Sequence, residues 1–91
     1  MDKCIHILVR GKVQGVYFRA STRERALELG LRGIVHNLRD GRVEILVQGN
    51  SASIERFLGW CRQGPPNARV DDLQIQDSTA NENFKTFTIA Y

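Results

Sequence analysis

Ile54, Phe57, Leu58 and Cys61 stand at positions i, i+3, i+4 and i+7, the recurrence that gathers apolar side chains on one face of an α-helix. Asn50 or Ser51 can cap this helix, and Gly64-Pro65-Pro66 stops it. A helix with one apolar face must lay that face on another element, and the chain offers mostly strands. Ile5, Ile7 and Val9 fall on one side of an extended segment over positions 4–10, and Val43, Ile45 and Val47 do so over 42–48. Both segments have the period of a half-buried strand. Helix laid on sheet is the architecture that satisfies both patterns.

The remaining elements follow from weaker signals. Gly11 ends the first strand. A second helical stretch covers residues 21–29: Ser21 and Glu24 have capping-box spacing, Ala26 and Leu29 continue a face from Thr22, and Gly30 is placed to stop it. Its start is expected between Phe18 and Thr22. Residues 33–38 read as a strand joined to 42–48 by a tight hairpin at Asp40-Gly41. Two more strands are expected, 69–77 with Leu73 and Ile75 on one face, and 84–91 with Phe87, Ile89 and Tyr91 on one face. A polar loop over 78–83 joins them. The order β-α-β-β-α-β plus one strand predicts an α+β, ferredoxin-like split β-α-β fold. In that fold two helices cover one face of an antiparallel sheet, with a short C-terminal strand in addition. At 91 residues, the chain is expected to form one domain over residues 1–91.

Composition excludes several classes. With 42% hydrophobic and 25% charged residues, the chain is neither disordered nor fibrous. Its longest apolar runs are a few residues, too short to span a membrane, and no leader pattern opens it. A soluble, cytoplasmic, monomeric protein is expected. The net charge of +3 suits an anionic ligand, but the arginines are scattered and form no basic run of the kind nucleic-acid modules use. Cys4 and Cys61 match no metal-ligand or redox spacing and are expected to be free thiols. His6 sits mid-strand, and His36 has no carboxylate or second histidine at ligand spacing, so no metal site and no cofactor are expected.

Between the first strand and the first helix lies Gly11-Lys12-Val13-Gln14-Gly15-Val16-Tyr17-Phe18-Arg19. A glycine-bearing loop that runs into a helix N-terminus can turn main-chain N–H groups toward an anion. Gly15 would let the backbone turn without a Cβ clash, and Arg19 supplies a fork of donors suited to phosphate oxygens. The segment is not a Walker loop, because no Gly-Lys-Ser/Thr follows at the right spacing. On spacing alone the plainer reading is a surface loop, with Val13, Val16 and Phe18 in the core and Arg19 solvated.

From Val9 to Arg19 the chain resembles the first signature of the acylphosphatase family at every constrained position. A second pattern of that family resembles Gly33-Ile34-Val35-His36-Asn37-Leu38-Arg39-Asp40-Gly41-Arg42-Val43 followed by Gly49. Ile34 and His36 depart from it: the family usually has an aromatic residue at the first position and Lys, Arg, Gln, Ala or Met at the second. Gly64-Pro65, Ala68-Arg69-Val70, Phe87, Ile89 and Tyr91 extend the similarity across essentially the whole chain. The resemblance implies a metal-free, cofactor-free hydrolase acting on small acyl phosphates, with inorganic phosphate as a product. It implies that the main chain of Gly15, Val16, Tyr17, Phe18 and Arg19, with the Arg19 guanidinium, binds phosphate. Arg19 and Asn37 are then the catalytic residues, and Asn37 orients the attacking water.

Parallel first and second strands, with the third between them, would open the ends of both on one edge and bring Asn37 beside the loop. Taken without the resemblance, Asn37 reads as a turn residue. The alternative to an enzyme is a non-catalytic ferredoxin-like module that binds phosphate, another ligand or RNA. For RNA, Lys12, Val13 and Gln14 stand where a stacking motif needs aromatic or small residues.

Overall fold

The protein is described here from a computed structural model, over residues 2–78 and 84–90. Seven elements follow one another: β1 (Asp2–Lys12), α1 (Phe18–Glu28), β2 (Arg32–Asn37), β3 (Val43–Asn50), α2 (Ser51–Gln63), β4 (Arg69–Asp77) and β5 (Phe87–Ile89). The sheet order is β4-β1-β3-β2-β5. β1 pairs antiparallel with both β3 and β4, and β2 pairs antiparallel with β3. Hence β1 and β2 run parallel with β3 between them, as expected of the ferredoxin-like arrangement.

Alternation along the strands builds the core. Ile5, Ile7 and Val9 of β1, and Val43, Ile45 and Val47 of β3, are all buried. The α2 residues Ile54, Phe57, Leu58 and Cys61 are buried above them, each large apolar side chain contributing about 1.5–3 kcal/mol. Asn50 is the N-cap of α2, its side chain accepting from Ala52 N–H at 2.9 Å. α1 lays Phe18, Thr22 and Ala26 on the same core. Its C-terminus closes with Gly30 N–H donating to Leu27 and Leu31 N–H to Ala26, the Schellman pattern, with Gly30 left-handed at φ 71°.

Three expectations are corrected. α1 begins at Phe18, so Ser21 and Glu24 lie inside the helix and form no capping box. The expected β2–β3 hairpin forms through a three-residue loop, 39–41: Leu38 N–H meets Arg42 O at 2.8 Å and Gly41 N–H meets Leu38 O at 3.2 Å, with Gly41 at φ 97°. β5 covers only Phe87–Ile89 and pairs parallel with β2, which makes the sheet mixed. Because β5 runs opposite to β4, it lands beside β2 in the same direction. Tyr91 and residues 79–83 of the expected loop lie outside the described residues.

The third correction concerns His36, which does have a carboxylate partner. Glu44 faces it directly across the β2–β3 pair, and bonds both His36 Nε2 and, at 2.8 Å, His6 Nε2. These contacts lie on the sheet face away from the helices, and they hold the Glu44 carboxyl below its ordinary value. Ile34 and His36 share that face. Both cysteines are free thiols, Cys4 half-buried and Cys61 buried, and burial pushes the Cys61 thiol up. No helix among the described residues is long and apolar enough to cross a membrane.

Candidate active site

The segment from β1 to α1 is pinned by its apolar residues. Val13, Val16 and Phe18 are buried in the core, which turns Gln14, Gly15 and Tyr17 outward. Gly15 takes φ 75°, and a Cβ there would meet nothing within 4 Å. Glycine is favoured at this position by backbone conformation and not by crowding. Tyr17 takes φ 62°, ψ 25°, the left-handed region, as the residue preceding α1. A left-handed tyrosine is uncommon and costs free energy, so the fold around it must hold it there.

That turn opens the helix end. Tyr17 makes no side-chain capping bond, and the first turn of α1 contains no acidic residue. Helix geometry leaves the first-turn N–H groups without intrahelical acceptors, and the partial positive charge of the helix end is not countered by a carboxylate from its own first turn. These groups border a cavity of about 410 Å³ whose lining includes Gly15, Tyr17, Phe18, Arg19, Ile89 and Asn37.

Asn37 is the last residue of β2. Its parity with buried Gly33 and Val35 turns it to the helix side, whereas Ile34 and His36 face away. Its side-chain oxygen Oδ1 is buried and has no donor among the described residues. Of the residues expected at the site, Gly15, Tyr17, Phe18, Arg19 and Asn37 meet around one cavity. The Val16 side chain is buried in the core, so only its main chain is available to the site. Gln14, which was not singled out in the sequence, also lines the cavity and reaches the β2–β3 turn. No local pattern marks it, because its partners lie 24 and 28 residues away.

A second concavity of about 380 Å³ lies on the open sheet face, lined by Arg10, Asp40, Arg42 and Asp72 among others. Volume does not separate the two. The open-face concavity mixes acids with bases, and Arg42 is already paired to Asp40 at 2.8 Å. Among the described residues, the first cavity combines an uncapped helix end, one arginine and an acceptor without a donor, and none of those that line it is acidic.

The acylphosphatase family model matches residues 5–89. The chain belongs to the acylphosphatase family. The acylphosphatase of Methylococcus capsulatus is 47% identical over 87 residues, 96% of this chain and 95% of the relative. The crystal structure of acylphosphatase from Bacillus subtilis superposes with a TM-score of 0.94 at 36% identity, covering 100% of both chains. An acylphosphatase from Coxiella burnetii gives 0.93 at 40% identity, over 98% of this chain and 93% of that one. Acylphosphatases are hydrolases of acid anhydrides: an acyl phosphate is the substrate, and inorganic phosphate is a product. The two departures from the family pattern, Ile34 and His36, alternate with the buried side of β2 and so lie away from the cavity.

Proposed function

We propose that the cavity holds the phosphoryl group of a small acyl phosphate and that Asn37 orients the water that attacks it. The main-chain N–H groups of residues 15–19 and the Arg19 guanidinium surround the phosphoryl oxygens. The observation that carries this reading is Asn37 Oδ1, a buried acceptor with no donor among the described residues, in the same cavity as the uncapped end of α1. A buried unsatisfied oxygen costs about 1–3 kcal/mol. A water donating one hydrogen to Oδ1 satisfies that oxygen and turns its lone pair toward phosphorus.

The reaction then needs few groups. The water oxygen bonds to phosphorus while the bond from phosphorus to the bridging oxygen breaks, and the carboxylate leaves with the electron pair. One water proton passes to a non-bridging phosphoryl oxygen, so a dianionic acyl phosphate and water give a carboxylate and dihydrogen phosphate. Charge in the loose transition state sits on the phosphoryl oxygens, where fixed N–H donors and a guanidinium stabilise it without reorganising. Orientation of water supplies the proximity term. No metal ion or cofactor has a part in this scheme, and among the described residues no three or more His, Cys, Asp or Glu are arranged to hold a metal. An RNA-binding reading finds no support on the open sheet face. The outward positions of β1 and β3 there include Cys4, His6, Leu8, Arg10, Glu44, Leu46 and Gln48; none is Phe, Tyr or Trp, and the His6 imidazole is hydrogen-bonded to Glu44.

Steady-state kinetics on benzoyl phosphate, with inorganic phosphate as inhibitor, separate the two roles. Arg19→Ala should weaken phosphate inhibition, raise KM and lower kcat together, because it removes a charge-assisted fork from ground and transition states. Asn37→Ala should keep phosphate inhibition while kcat falls about 10²-fold. An Asn37→Ala enzyme with normal turnover and only a lower melting temperature would return Asn37 to the role of a turn residue.

A further inference from the structure

The cradle loop and the end of β2 face each other across the cavity but belong to distant parts of the chain, and one side chain ties them together. Gln14 Nε2 donates to the carbonyl of Leu38 at 2.8 Å and to the carbonyl of Arg42 at 3.0 Å, which uses both hydrogens of its amide. Leu38 and Arg42 are the two ends of the β2–β3 turn, closed on each other by Leu38 N–H to Arg42 O at 2.8 Å. Gln14 adjoins Gly15 in the cradle, and Leu38 adjoins Asn37. The carboxamide therefore bridges the residue beside the phosphate donors and the residue beside the acceptor for water.

The other attachments of these two segments act separately. Burial of Val13, Val16 and Phe18 holds the loop to the core, and pairing of Asn37 with Val43 holds the strand end to β3. We propose that Gln14 is a positioning residue that sets the separation between the phosphate-binding loop and Asn37. This rests on the roles proposed above for the loop and for Asn37. Gln14 acts through the Leu38 carbonyl on the strand end that carries Asn37, and reaction geometry is sensitive at this level, since displacements on the order of 1 Å can cost up to about 10²-fold in rate.

The test compares the parent enzyme, Gln14→Met, Asn37→Ala and the double variant on benzoyl phosphate, well below each melting temperature. Methionine preserves the volume of glutamine and removes its N–H donors. In Gln14→Met, kcat should fall about tenfold, while the inhibition constant of inorganic phosphate stays within about twofold, because the cradle itself is intact. Added to Asn37→Ala, the same change should lower kcat no further, because both act through the same water. Gln14→Asn, which keeps the amide but falls one methylene short of the carbonyls, should show the same kcat loss and serves if the methionine variant does not fold.

A merely structural Gln14 would lower the melting temperature and leave kcat within about twofold of the parent in either folded variant, which overturns the proposal. Losses that multiply in the double variant overturn it as well. If Asn37→Ala alone turns over normally, the water-positioning role falls first and the proposal falls with it. A slow Asn37→Ala beside a normal Gln14→Met rejects the proposal alone.

Discussion

Replacing Tyr17 by glycine should give a more stable protein than replacing it by alanine, the reverse of the order at ordinary helix and strand positions. Tyr17 is held at φ 62°, ψ 25° and is 82% exposed, so either replacement forfeits little packing. A residue with a Cβ pays about 1–2 kcal/mol in the left-handed region, and alanine still pays it. Glycine is relieved of that strain but loses about 0.5–1 kcal/mol through the greater freedom of its unfolded chain. Taking the middle of each range, the difference favours Tyr17→Gly by roughly 0.75 kcal/mol, a gap of about 3–6 °C in melting temperature for a chain of this size. Parallel thermal and urea melts of the two variants read it directly. An alanine variant as stable as the glycine variant, or more so, would mean that Tyr17 is not held left-handed in solution. The description of how the loop presents its N–H groups would then be wrong.

Two further outcomes are expected. Because the Glu44 carboxyl is held below its ordinary 4.5, first by the His6 hydrogen bond and then by His36, its contribution to stability is present above that value. It is lost as pH falls through the lowered one. Urea melts should therefore separate Glu44→Gln from the parent at neutral pH and bring the two together near the acid end, whereas a pH-independent gap would contradict the sign. Turnover of benzoyl phosphate should be unchanged in excess chelator, since the proposed chemistry is carried by N–H groups, Arg19 and Asn37. Activity lost to chelator and restored by a divalent cation would overturn that scheme.

What could be read from the chain depended on whether the deciding contacts were local. The face of α2 was legible because Ile54, Phe57, Leu58 and Cys61 are all buried together. The placement of Asn37 was legible too, since strand parity and the parallel course of β1 and β2 put it on the cavity side. The capping of α1 was not, although its start at Phe18 falls at the edge of the expected range. Ser21 and Glu24 mimic a cap, but the boundary is set three residues earlier at Phe18, where burial of Val16 and Phe18 forces an unfavourable turn at Tyr17. Tyrosine gives no local sign of a left-handed conformation. The His6–Glu44–His36 contacts were hidden for another reason: they join three strands through partners 38 and 8 residues apart. Likewise β5 stops at Ile89 because its pairing with β2 covers only three positions, whereas the alternation of Phe87, Ile89 and Tyr91 continues past it in the sequence.

The claim on which the rest depends is that phosphate binds at the start of α1, and two concavities of similar volume, about 410 and 380 Å³, make the alternative concrete. Titrating the ¹⁵N-labelled protein with inorganic phosphate locates the site residue by residue. Saturable amide shifts should centre on residues 15–19, with a smaller response at Asn37, and Arg19→Ala should weaken them. Shifts centred instead on Arg10 and Arg42, across the sheet from the loop and unaffected by Arg19→Ala, would contradict the account.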